Sequence, residues 1–311
     1  MNLSKNIFSD HHKCFFCNST NLGDSISYEY RDNPYTLEIR KNNGLSIEEV
    51  NANLLLKRCN NCQSLTFNRW FSLKVYEGIY KFAKHRMGWN RFLNTIYKNN
   101  SESIKNDIET FIKLTQQINK IDNYLEIRCP FMGMFPLFSL IKQSKRSNET
   151  LFNSKIYRLK LFFLKLIKKK NFSEDIYKDF KKIQIPNENI FLTDNSNKGW
   201  GDKCNNFGCN CKNIIKEFKW IDTSNLKNFD PSQKNIDLLY IHNTLDHIED
   251  PYVTLSKISS RVKNIYIKFH SIDGGAQHPF FLQNETINFI ATRLNFKIKK
   301  FESENEYLLS K

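Results

Sequence analysis

Tyr124-Leu-Glu-Ile-Arg-Cys-Pro-Phe-Met-Gly133 is the stretch on which the reading of this chain turns. Tyr124–Ile127 is a short apolar strand carrying one carboxylate, and turn-forming residues follow it. Upstream, Ile108, Phe111, Ile112 and Ile118 share one side of a helix, with Asn106 and Glu109 placed as its N-cap and N3 pair. Downstream the chain alternates. Ile190–Thr193, Phe218–Ile221, Leu238–Ile241 and Ile265–Phe269 are strand-like, and 211–217 and 252–263 are helix-like. Such alternation predicts an α/β fold with a mainly parallel sheet covered on both faces. Ligands of such sheets bind at the carboxyl ends of the strands.

Ahead of this region lie two cysteine pairs, Cys14-x-x-Cys17 and Cys59-x-x-Cys62, separated by 41 residues. A CxxC turn offers two thiolates to one tetrahedral zinc ion, and two such turns complete a four-cysteine site. KNNG, flanked by YTLEIR and LLLKRC, reads as the tip of a β-hairpin that lengthens the module. Unrelated buried thiols or a redox pair are the weaker readings. Cys204, Cys209 and Cys211 lack an adjacent fourth ligand and read as isolated thiols. Residues 1–62 hold 7 Lys/Arg and 7 Asp/Glu, a neutral balance that is a poor footprint for nucleic acid.

The whole chain has 311 residues and a formal charge of +15, but that basicity is local. Residues 141–186 hold 13 Lys/Arg against 4 Asp/Glu. The segment reads as a basic helical lid packed on the main domain rather than as a contact for an anionic membrane surface. Residues 65–100 are rich in aromatics, with Val75, Ile79 and Phe82 at core-facing spacing and Tyr76 and Tyr80 on another face. No apolar run approaches the length of a membrane span, and the N-terminus lacks the apolar region of a secretory signal. The expected location is the cytoplasm.

YLEIRCPFMG resembles the first nucleotide-binding motif of class I S-adenosylmethionine-dependent methyltransferases, an apolar strand and Glu before a glycine-rich turn. Asp237-Leu-Leu-Tyr-Ile-His-Asn-Thr-Leu-Asp-His-Ile-Glu-Asp-Pro251 resembles the family's fourth strand and following helix. Gln277-His-Pro-Phe-Phe-Leu-Gln-Asn-Glu-Thr286 with Leu294–Ile298 resembles its late EHxxxF segment. Paired CxxC turns ahead of an aromatic region are similar to a subgroup that includes sugar C-methyltransferases. The resemblance implies a Rossmann-like domain over 105–311 with the basic insert 141–186, a zinc-ribbon-like module over 1–70 and a helical connector over 71–104. It implies S-adenosylmethionine as cofactor and a small acceptor, a sugar or nucleotide-sugar.

The implied cofactor residues are Glu126, Arg128, Gly133, Asp194 and Asp246. Glu126 and Asp194 are 68 residues apart, and removing the insert leaves 22, near the spacing expected of a ribose-binding acid. Proton removal from an acceptor needs a base, for which His278 and His247 are the candidates, with Tyr80 as a further catalytic candidate. Arg128 and Pro130 replace the first two glycines of the usual loop, which leaves an inactive, binding-only relative as the alternative.

Overall fold

The computed structural model describes residues 7–33, 36–72, 75, 102–118, 120–128, 134–135, 183–194, 219–222, 235–248, 250–300 and 305–311. The chain divides into two compact units. One comprises Met1–Lys84, Ser224–Asn235 and Leu239–Lys311; the other comprises His85–Thr223 and Ile236–Leu238.

The first unit begins with strands β1 (Phe8–Asp10) and β2 (Leu22–Ile26), helices α1 (Thr36–Asn42) and α2 (Ile47–Asn53), and strands β3 (Leu55–Cys59) and β4 (Leu65–Phe71). The hairpin expected around KNNG is absent: Thr36–Asn42 is helical, and a second helix separates it from β3. Local chemistry explains the correction. Asn33 accepts from the Thr36 N–H, as an N-cap does. Gly44 supplies a left-handed φ of 63° just after α1, and Ser46 and Glu49 close a reciprocal capping box on α2. Two helix starts and one helix stop outweigh the apolar alternation of a strand.

Strand order in the module is β1-β4-β3-β2, and β4 also pairs antiparallel with β10 (Phe280–Phe281), far along the chain. The buried cluster follows that pairing. Tyr30, Val50, Leu56, Phe67, Trp70 and Phe71 pack together with Ala276 and Phe281. A segment near the C-terminus is therefore part of the N-terminal module's core. The rest of this unit comprises α4 (Pro251–Ser259), β9 (Val262–Lys268), α5 (Asn284–Leu294), β11 (Lys297–Lys300) and β12 (Glu306–Ser310).

The second unit contains α3 (Glu102–Gln117), β5 (Tyr124–Arg128), β6 (Ile190–Asp194) and β7 (Lys219–Asp222). Strand β8 (Ile236–His242) gives it Ile236–Leu238 and gives Leu239–His242 to the first unit. Helix α3 starts at Glu102, so the exposed Asn106 lies inside it and caps nothing. Burial of Ile108, Phe111 and Leu114 favours the longer helix over a cap at Asn106. Phe111 meets Tyr124 edge-on at 5.7 Å between ring centroids, locking α3 against β5. Buried Asp237 accepts from the backbone N–H groups of Asp122 and Asn123, both at 2.9 Å, which fixes where β5 begins beside the start of β8.

The expected strands at 190, 218, 238 and 265 all form. Pairing is parallel for β5 with β6 and β6 with β7, but antiparallel for β12 with β9 and β11 with β12. The sheet pairings are thus mixed, because β11 and β12 are joined by five residues and a parallel crossover needs a dozen or more. Among the described residues no helix is long and apolar enough to cross a membrane.

Candidate functional site

The first unit brings Cys14, Cys17, Cys59 and Cys62 together, with their sulfurs all within 4.8 Å of one another. The two turns share one construction. The amide of Asn18 donates to Cys14 O at 2.9 Å and that of Cys14 to Ser19 O at 2.8 Å; Gln63 to Cys59 O at 2.8 Å and Cys59 to Ser64 O at 2.9 Å repeat the pattern. Asn18 and Gln63, each just after its second cysteine, have left-handed φ values of 60° and 63°. Asparagine visits that region more readily than most residues.

Sulfur separations are 3.7 Å for Cys14 with Cys62 and 3.6 Å for Cys17 with Cys59. Tetrahedral zinc with bonds of about 2.3 Å would set its sulfurs about 3.8 Å apart, so the donor set fits. The Ser64 hydroxyl lies 3.3 Å from Cys14 Sγ and 3.2 Å from Cys62 Sγ. Contacts with neighbouring thiols, then burial, push Cys14 and Cys62 up, while thiol contacts lower Cys59 and bring Cys17 to about 7. Four thiols this close ionise together only around a cation.

The same unit holds a second constellation. His278 is 3% exposed and its Nδ1 contacts Asp246 Oδ2, while its Nε2 lies 2.9 Å from Gln277 Nε2. His270 stacks on the ring at 4.1 Å between centroids. Asp246 sits in the short 3-10 turn Leu245–His247 beyond the carboxyl end of β8. Just before it, Asn243 is left-handed (φ 52°), and its Oδ1 is buried without a hydrogen-bond partner among the described residues.

The cysteine module braces both halves of this pair. Asn18 donates to Asp250 at 2.7 Å, and the Tyr252 N–H, one of the orphan donors at the start of α4, reaches Phe16 O at 3.2 Å. Trp70 Nε1 donates to Ala276 O at 2.6 Å and the Phe67 N–H to Pro279 O at 3.1 Å, on either side of Gln277 and His278.

In the second unit Glu126 is 1% exposed and accepts from the Met134 N–H at 2.9 Å and the Tyr124 hydroxyl at 3.0 Å. Its carboxylate therefore ties Met134 back to β5, and these charge-assisted bonds offset its burial. Glu126 pairs in register with Leu192. Arg128 and Asp194, two residues beyond each, end their strands at the carboxyl edge. Asp222 is in register with Asp194 at the end of β7. The sequence reading missed Asp222, although its place at a strand's carboxyl end was a usable signal. It also missed the roles of His270, for which local sequence gave no signal, and of Asn33, whose local sequence signals only a helix cap.

Of the remaining candidates, His247 closes the Leu245–His247 turn. Tyr80, Pro130, Gly133, Cys204, Cys209, Cys211 and nearly all of the insert 141–186 lie outside the described residues.

No family model matches the chain, and no curated protein matches it. It is similar to solved structures of methyltransferases. Magnesium protoporphyrin IX methyltransferase from Synechocystis PCC 6803 with bound SAM gives a TM-score of 0.40 at 10% identity, over 75% of this chain and 95% of that one. The CurJ carbon methyltransferase gives 0.30 at 10% identity, over 92% and 85%. The N-terminal domain of EvdMO1 in the presence of SAH and D-fucose gives 0.33 at 7% identity, over 65% and 79%.

Proposed function

We propose that this chain is a cytoplasmic S-adenosylmethionine-dependent methyltransferase acting on a small carbohydrate acceptor, a sugar or nucleotide-sugar, and that Cys14, Cys17, Cys59 and Cys62 hold a structural zinc. The observation that carries the reading is the buried Asp246–His278 pair, which joins the two positions where the motif resemblance puts a cofactor-proximal acid and a base. When bound, the cofactor supplies a sulfonium methyl group open to in-line attack. Asp246 holds the imidazole in place, and His278 receives the proton that the acceptor's hydroxyl or carbon gives up. Stacked His270 keeps water off one face of the ring.

The residues also suit the cofactor. Asn243 Oδ1, a buried acceptor lacking a partner among the described residues, suits an ammonium or hydroxyl donor of the ligand. Within the second unit, the motif resemblance assigns Glu126, Arg128, Gly133 and Asp194 to the cofactor, Arg128 to an anionic group and Asp194 to the ribose hydroxyls. Specific nucleic-acid binding is not part of this reading.

Calorimetric titration of the zinc-loaded protein with S-adenosylmethionine tests it. Saturable binding that weakens roughly 10- to 100-fold in Arg128→Ala, the loss of about 1.5–3 kcal/mol of charge-assisted bonding, is the expected result. No binding by wild type or by Arg128→Gly would instead make the chain an inactive relative.

A further inference from the structure

A single row of hydrogen bonds runs from the start of α1 to the imidazole of His278, and it begins at a group whose polarity is not open to choice. The backbone N–H of Thr36 can only donate, and it donates to Asn33 Oδ1 at 3.1 Å. The other end of that amide is therefore the Nδ2 donor, which reaches Gln277 Oε1 at 2.5 Å. Gln277 must then turn its Nε2 donor toward His278 Nε2, 2.9 Å away. A nitrogen facing an N–H donor must be the bare one, so the proton of the neutral ring sits on Nδ1, facing Asp246.

We infer that Asn33 and Gln277 are positioning residues that fix the tautomer of His278, leaving Nε2 as the proton-accepting atom. This rests on the methyltransferase reading only for the use made of that atom. The acceptor's hydroxyl would take the place of the Gln277 N–H at the same lone pair. Glutamine rather than glutamate at position 277 matters here. A carboxylate there would accept a proton from Nε2 while Asp246 accepted one from Nδ1, and the ring would lose its bare nitrogen.

Gly275 supplies independent support. Its φ of 99° belongs to glycine, and a Cβ there would collide with Asn33 Nδ2 and lie 2.6 Å from Gln277 Oε1. The backbone has been brought against the amide pair at the one residue type that permits it.

The test reads the ring directly and needs no cofactor. In full-length, zinc-loaded protein carrying 15N-histidine, long-range 1H–15N correlation distinguishes a bare from a protonated ring nitrogen, with His278 assigned by its loss in His278→Asn. Wild type should show Nδ1 protonated and Nε2 bare. Asn33→Asp keeps the acceptor for Thr36 but removes the Nδ2 donor. Gln277 then reverses, its carbonyl faces Nε2, and the ring gains a second proton at the same pH. Gln277→Glu should give the same doubly protonated ring by direct contact, without altering the cap. A wild-type ring with its proton on Nε2, or a ring unchanged in Asn33→Asp and Gln277→Glu, overturns the inference. A correct tautomer in a protein that does not bind S-adenosylmethionine would leave the inference standing and reject the proposed function.

Discussion

Replacing Cys59 by serine removes one corner of the four-sulfur cluster, and its consequence should reach His278, far along the chain. Structural zinc contributes about 10–16 kcal/mol of binding free energy in small modules, comparable with the roughly 5–15 kcal/mol that holds an entire domain folded. What fastens the first cysteine turn to α4 is far weaker. The Asn18–Asp250 and Tyr252–Phe16 bonds are worth about 1 kcal/mol each. They cannot hold the turn once the metal is gone. Loosening of β4 then releases Phe280 and Phe281 from Thr66 and Leu65, and Trp70 from Ala276. Cys59→Ser should therefore lack the stoichiometric zinc proposed for the wild type, as read by elemental analysis. Amide hydrogen exchange should accelerate at Phe67 and across 276–281, while protection at Leu125 and Leu192 in the second unit persists. Full protection of 276–281 in metal-free protein would refute the bracing role, even if zinc had been present in the wild type.

Glu126→Ala strips the Met134 N–H and the Tyr124 hydroxyl of a buried charged acceptor, and should cost roughly 3 kcal/mol, read as a lower urea midpoint at unchanged m-value. Glu126→Gln, which keeps one carbonyl acceptor, should cost about half as much. Gly275→Ala places a side chain in a left-handed conformation against the Asn33–Gln277 amides, for an expected loss of about 1–3 kcal/mol. Histidine NMR should show altered His278 signals in that variant; identical signals would mean the collision is relieved elsewhere.

Sequence alone determined the parts of this protein whose physics is local. The CxxC pairs declared the four-sulfur cluster because chain spacing within a turn sets where two thiols can point. The apolar runs near 124, 190, 218, 238 and 265 declared strands because short buried strands need little beyond continuous apolar residues. Capping defeated the hairpin around KNNG, where Asn33, Gly44 and the Ser46–Glu49 box were written in the sequence but overlooked in favour of alternation.

Tertiary structure alone decided what lies beside what. Asn33 and Gln277 are 244 residues apart, and no pattern in either segment calls for the other. Pairing of β10 with β4 brings them within reach, and that pairing is specified by the fit of Phe281 and Ala276 into a core built mostly from residues 7–71. The polarity of the histidine likewise depends on a chain of donors and acceptors that exists only once the core has closed. A cysteine turn or a helix cap is fixed by neighbours a few residues away, whereas the direction of a buried hydrogen-bond chain is a property of the packed whole.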